Sequence, residues 1–154
     1  MMKLCLVFFV VLFLVINQND ACNCCSSGWV PYGSSCYYFS TWTTSWTNAR
    51  KSCLTKGGNL VCLTGWSEWW FAVKRMRQIN LAYGTKDYWI GANDRVSEGT
   101  WRCANGSPGY LRWRTGEPNN HGNEDCVHLY STGYMNDREC HDSSRCRFIC
   151  KKSC

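Results

Sequence analysis

The sequence predicts an α+β domain built on an antiparallel sheet. Three observations predict it: helical apolar periodicity in the first half, short β-favouring runs set between Gly, Asn, Asp and Ser clusters in the second, and no alternation of long strand with helix. Residues 1–21 are set aside from the fold. Lys3 followed by the unbroken apolar run from Leu4 to Ile16 has the layout of a secretory signal peptide, shorter than the roughly 20 residues of a membrane span, and Ala21 stands before the expected cut. Residues 22–154 then read as a single exported domain without a transmembrane segment.

Within that domain, "CYYF" from Cys36 to Phe39 is the first strand-like run. The segment "TTSWTNARKSCLTKGG" predicts a helix of about three turns, with Trp46, Ala49 and Cys53 at helical spacing, Thr44 or Ser45 capping its start and Gly57 closing its end. Trp66, Trp69, Trp70, Val73 and Met76 predict a second helix behind a cap at Thr64, and the stripe reads as core rather than as a stacking platform. Beyond Gly84, "YWIGA" from Tyr88, "TWRC" from Thr100, "CVHL" from Cys126 and "RFIC" from Arg147 read as short strands. Between Asn105 and Glu124 lies a stretch of Gly, Pro, Asn and charge, and irregular segments of that length inside a compact domain are usually functional or disordered.

The chain carries 17 Lys and Arg against 11 Asp and Glu, a net charge of +6 that is unchanged when residues 1–21 are removed. Its bases are scattered apart from "KRMR" at Lys74 and "KK" at Lys151, which read as solvated faces, and export argues against a nucleic-acid partner. Of 13 cysteines, 12 remain without Cys5, and in a small exported chain that even number reads as a disulfide framework. His121, His128 and His141 lie among them, but no C-x-x-C pair faces a second such pair, which argues against zinc.

Against this basic background, "EPNNHGNEDC" from Glu117 to Cys126 concentrates acid. Glu117, Asn119, Glu124 and Asp125 supply side-chain oxygens, and "NDREC" adds Asn136 and Asp137. Oxygen donors of mixed type on an irregular loop suit a hard cation such as calcium, which takes about six to eight of them. Pro118 has a fixed φ that lets Glu117 and Asn119 point to one side, particularly if the Glu117 peptide is cis. Grouped carboxylates repel unless a counter-ion compensates them. The competing arrangement is a polar surface loop neutralised by Arg112, Arg114 and Arg138.

Taken in order, "CSSGWVPYGSSCYYF", "ARKSC", "GGNLVCL", "YWIGANDRVSEGTW", "EPNNHGNEDCVHL", "MNDREC" and "RFIC" resemble a C-type lectin-like domain with its core at residues 25–150. The resemblance implies two helices, two small antiparallel sheets, a long calcium-binding loop region and the disulfides Cys25–Cys36, Cys53–Cys150 and Cys126–Cys140. Cys22, Cys24, Cys62, Cys103, Cys146 and Cys154 are left over. Chain ends lie side by side in such a fold, which puts Cys154 within reach of Cys22 or Cys24. The resemblance further implies a primary, sugar-binding calcium site at Glu117, Asn119, Glu124, Asn136 and Asp137, and an auxiliary one at Asp94, Glu98, Asn120 and Asp125. In the family a Glu-Pro-Asn triplet goes with mannose, fucose and N-acetylglucosamine. Met135 departs from the family's usual Trp before the Asn-Asp pair, and an adaptable Met can fill much of that space.

The expectation is therefore a secreted calcium-dependent lectin that reads glycans on microbial or cell surfaces, with a role in innate immunity or agglutination. Any homo-oligomer would form through the domain itself or a spare cysteine, since no heptad or collagen repeat precedes Cys25. The alternative is a lectin-like module without sugar binding that serves protein-binding, antimicrobial or ice-binding ends. No nucleophile, base and orienting group appear as a set, so an enzyme is not expected, and the loop acids serve better as metal ligands than as a glycosidase pair. "NGSP" at Asn105 is a formal glycosylation sequon and reads equally as a tight turn.

Overall fold

The described residues form β1 (Val30–Tyr32), β2 (Ser35–Phe39), α1 (Trp46–Thr55), β3 (Asn59–Leu60), α2 (Trp66–Tyr83), β4 (Asp87–Asn93), β5 (Cys126–Leu129), β6 (Met135–Arg138) and β7 (Cys146–Ser153). The computed structural model describes residues 24–154, so the expected signal segment and Cys22 lie outside the described residues.

α1 starts at Ser45, whose hydroxyl accepts from the Asn48 amide at 3.4 Å, and ends where Gly57 turns to φ 76°. The Gly57 and Gly58 amides then donate to Leu54 O and Cys53 O, which satisfies carbonyls that the helix leaves open. Trp46, Ala49 and Cys53 are its buried face. α2 departs from expectation at its first turn. Gly65 is the cap residue, and Thr64, one position further out, donates through its amide (2.9 Å) and hydroxyl (2.6 Å) to the Glu68 carboxylate.

The predicted apolar stripe of α2 is only partly core. Trp69, Val73 and Met76 are buried, whereas Trp66 is 59% and Trp70 38% exposed, and these two rings stack on each other at 6.3 Å. The reason is angular: at about 100° per residue, the buried arc runs through Trp69, Ala72, Val73, Met76 and Asn80, and Trp66 and Trp70 fall at its edge.

The strands run in the order β1-β2-β7-β4-β5-β6, with β3 also on β7. The two expected small sheets thus meet in one strand. The start of β7 pairs with β4, and its remainder pairs with β2 and β3. The β4–β7 pair is parallel, with Asp87, Tyr88 and Trp89 opposite Cys146, Arg147 and Phe148, while the other pairs are antiparallel. "TWRC" does not form a strand; Arg102 makes a single bridge to Asn93.

Cys25–Cys36, Cys53–Cys150 and Cys126–Cys140 are disulfides, joined by Cys24–Cys154 and Cys62–Cys103. Among the described residues, Cys146 is the exception to an all-disulfide framework. Its thiol is free and fully buried, and burial pushes its pKa up, which makes it a core residue and not a nucleophile.

Candidate functional site

The acidic loop is held from below by Met135. Met135 is fully buried; its amide donates to Arg112 O (2.8 Å), its carbonyl accepts from the Arg114 amide (2.9 Å), and its Sδ lies 3.3 Å from the Arg112 amide. The Glu117 amide donates in turn to Arg114 O at 3.0 Å, so the segment that leads into the loop is registered against β6. Pairing of β5 with β6 sets Asp137 opposite Val127 and Asn136 opposite His128.

From that base the loop residues converge. The Glu117–Pro118 peptide is cis. The fully buried Asp137 carboxylate accepts from the backbone amides of Asn119 (3.3 Å) and Asn120 (2.7 Å), which brings the loop onto β6. Asn119 Oδ1 accepts from the His121 amide (2.8 Å) and Asn120 Oδ1 from the Glu124 amide (2.7 Å). Asn120 and Asn123 take φ of 47° and 73°, a region in which Asn is among the better tolerated side chains. The Asn136 side-chain amide donates to Asp137 O.

Burial first, and then the charge of Asp137, push the Glu117 and Glu124 carboxyls above the usual range. Glu117 Oε2 is buried without a hydrogen-bond partner. Glu117 and Glu124 thus share the repulsion of Asp137 across the loop, although the three carboxylates do not close to within 4.8 Å of one another. Arginine neutralisation of the loop is incomplete: Arg114 and Arg138 act to lower Glu117 and Glu124 but are outweighed, and neither forms an ion pair with them. Arg112 lies over the Trp69 and Tyr134 rings, Arg114 over Tyr130, and Arg138 pairs with Asp142 at 3.5 Å.

A second acidic group lies alongside. Carboxylate oxygens of Asp94, Glu98 and Asp125 lie within 4.8 Å of one another, and the Asp94 amide donates to Asp125 O at 3.1 Å. Asp94 Oδ2 accepts from the Gly99 amide (2.8 Å), whereas Oδ1 is buried and unpartnered. Burial, and then repulsion from Glu98 and Asp125 working against the Gly99 bond, raise the Asp94 pKa. Asn120, expected with this group, already accepts from the Glu124 amide, and a carbonyl oxygen retains a second lone pair. Both groups offer oxygen ligands with unsatisfied atoms, and they fit a hard divalent cation.

The histidines do not join these groups. His128, on β5, is 1% exposed and makes edge contacts with Trp89 and Tyr130. Burial depresses its pKa to about 3. Its Nδ1 is 3.7 Å from Asp87 Oδ2, beyond hydrogen-bond reach. With the imidazole uncharged, the two form no ion pair at neutral pH. His121 is exposed, and His141 contacts Glu139 at 3.0 Å on the surface.

Sequence reasoning missed a cleft of about 550 Å³ lined by Trp46, Arg50, Asp94, Arg95 and Arg102 among others. Its arginines come from three separated segments, so no local pattern announces it.

Comparison with known proteins gives this site a family. The Lectin C-type domain model matches residues 43–152. A perlucin-like protein of Mytilus galloprovincialis is 36% identical over 137 residues, covering 84% of this chain and 86% of that protein. Human C-type lectin domain family 17, member A is 39% identical over 132 residues, which cover 84% of this chain but 32% of that protein. The mouse low affinity immunoglobulin epsilon Fc receptor is 36% identical, with 37% of it covered, so the chain spans about a third of the length of these two relatives. Among solved structures, the cow C-type carbohydrate-recognition domain of CD23, determined in the presence of a GlcNAc2Man3 oligosaccharide, superposes with a TM-score of 0.76 at 30% identity over 86% of this chain and 98% of that one. A calcium-independent type II antifreeze protein shares the fold alone, at a TM-score of 0.71 and 24% identity. On the family match, the mussel relative and the shared architecture, this chain belongs to the C-type lectin domain family.

Proposed function

We propose that this chain is a secreted, calcium-dependent lectin that prefers mannose, fucose and N-acetylglucosamine and recognises glycans on microbial or cell surfaces in innate immune recognition or agglutination. One observation carries the reading: burial and the charge of Asp137 raise the Glu117 and Glu124 carboxyls against the opposing attraction of Arg114 and Arg138, and Glu117 Oε2 is orphaned. A compensating cation is the physical answer to such repulsion.

The primary ligands would be Glu117, Asn119, Glu124, Asn136 and Asp137, with Asp94, Glu98, Asn120 and Asp125 holding an auxiliary ion. Bound calcium would supply direct coordination of two neighbouring sugar hydroxyls. The chain's own part is orientation. Glu117 and Glu124 accept hydrogen bonds from those hydroxyls, the Asn119 and Asn136 amide nitrogens donate to them, and Asp137 fixes the loop through the backbone of Asn119 and Asn120. Such sites are weak singly, about millimolar or roughly 4 kcal/mol, so useful avidity needs several on one particle, through homo-oligomers formed by the domain itself.

The test is retention on immobilised mannose. Wild type should be held in calcium and released by a chelator, and Glu117→Gln with Asn119→Asp should lose mannose retention and gain galactose. Unchanged mannose retention by that double variant would sink the assigned site.

A further inference from the structure

The cleft missed by sequence reasoning gathers three cations from three elements. Arg50 lies on α1, Arg95 follows β4, and Arg102 forms the bridge back to Asn93. Rigid contacts fix all three segments. The Trp46 indole donates to Ile90 O at 2.8 Å and pins the start of α1 on β4. Asn93 and Arg102 exchange backbone hydrogen bonds of 2.9 and 2.8 Å. The Arg95 guanidinium lies 5.7 Å above the Trp46 ring, which forms one wall.

Among the described residues none of the three arginines is in an ion pair, the Arg50 guanidinium makes no hydrogen bond, and that of Arg102 donates to Trp101 O at 3.3 Å. The acid on the cleft wall, Asp94, is 3% exposed and directs Oδ2 to the Gly99 amide, while its unpartnered Oδ1 belongs to the acidic group with Glu98 and Asp125. Three guanidinium groups from separate segments thus line one cleft without a carboxylate partner. An anionic ligand would take that place, and the planar fork of Arg matches sulfate and carboxylate oxygens in pairs.

We infer that this cleft is a second binding site, selective for an anionic group, a sulfate ester or a carboxylate, carried on a glycan. That the anion sits on a glycan rests on the lectin reading; that an anion binds between Arg50, Arg95 and Arg102 does not. A volume of about 550 Å³ is the size of a small-ligand site. Asp94 links the cleft to Asp125 at the end of the calcium loop.

The experiment is calorimetric titration of the full chain, in calcium-free buffer, with a chondroitin sulfate tetrasaccharide and with a hyaluronan tetrasaccharide. Calcium-free conditions silence the loop, so failure here and failure of mannose retention are separate results. Binding of the first alone assigns sulfate, and binding of the second assigns carboxylate. Arg50→Gln with Arg102→Gln should weaken the bound probe by about tenfold or more. Lys51→Gln with Lys74→Gln removes the same charge from exposed positions outside the cleft and should leave affinity within about twofold. Should the arginine double variant lose its fold, Arg95→Lys, which keeps the charge but not the fork, should also weaken binding. Binding of neither probe, or equal losses in the two double variants, would overturn the site.

Discussion

At the scale of single residues, two carboxylate oxygens stand out because nothing satisfies them: Glu117 Oε2 and Asp94 Oδ1. They mark the two acidic groups more sharply than any count of acids. His128 shows the opposite arrangement, a titratable side chain that burial keeps uncharged. Its unfolded form takes up a proton below about 6.5, while the folded form resists protonation down to about 3. Stability from this residue is thus present above the unfolded value and is lost as pH falls through that window. We expect urea unfolding of wild type to lose about 1.4 kcal/mol per pH unit below 6.5 relative to His128→Gln. Parallel stability curves for the two proteins would contradict the assignment. The primary candidate ligands could be proposed from the sequence because calcium chemistry selects oxygen donors and these sit in two short motifs, whereas Asp94 and Glu98 were reached through the family resemblance. Two things were not legible: the role of Asp137 in anchoring Asn119 and Asn120 from 17 or 18 residues away, and the meeting of Arg50, Arg95 and Arg102. Both depend on strand pairing that no local spacing records.

Among the elements, α2 is fixed less by its cap than by one buried acid. Glu68 accepts from the Tyr37 hydroxyl (2.6 Å), the Thr64 amide and hydroxyl, and Lys151 Nζ (2.7 Å), so the first turn of α2 is tied to β2 and β7 at once. Burial acts to raise its pKa, but the donors Lys151, Thr64 and Tyr37 outweigh burial and hold the carboxyl below its ordinary value. Glu68→Ala would strand these partners, and breaking a buried pair of this kind costs about 3–5 kcal/mol. Glu68→Gln, which keeps a shape and one acceptor, should cost less. Chemical denaturation checks both, and a loss below about 1 kcal/mol for the Ala variant would mean that the network carries little. Both helices were legible because periodicity and turn residues mark them. Two- and three-residue strands such as β3 and β1 have no periodicity to read, and the parallel β4–β7 pair joins segments far apart in the chain. Trp66 and Trp70 mislead for a related reason: spacing reveals a stripe but not where the core stops covering it.

For the whole molecule, the disulfides and the charge distribution work on different states. Cys53–Cys150 spans 97 residues and restrains the unfolded chain, by about 4–5 kcal/mol in the chain-entropy model. The crowded acids instead burden the folded state, since Glu117, Glu124 and Asp94 all have raised carboxyl pKa values. With folded values above unfolded ones, the folded form binds protons first, so without calcium these groups favour folding more as pH falls through that range. Calcium acts on the same oxygens and competes with the same protons. At calcium about 100-fold above its Kd the fold should gain about 2.7 kcal/mol, and this gain should shrink as pH is lowered from neutrality toward the ordinary carboxylate range near 4. His128 does not confuse the comparison, because it titrates equally in both conditions. The measurement is the difference in Tm between calcium-containing and calcium-free buffer at several pH values. A difference that holds constant down to that range would show that Glu117, Glu124 and Asp94 are not the groups that meet the ion.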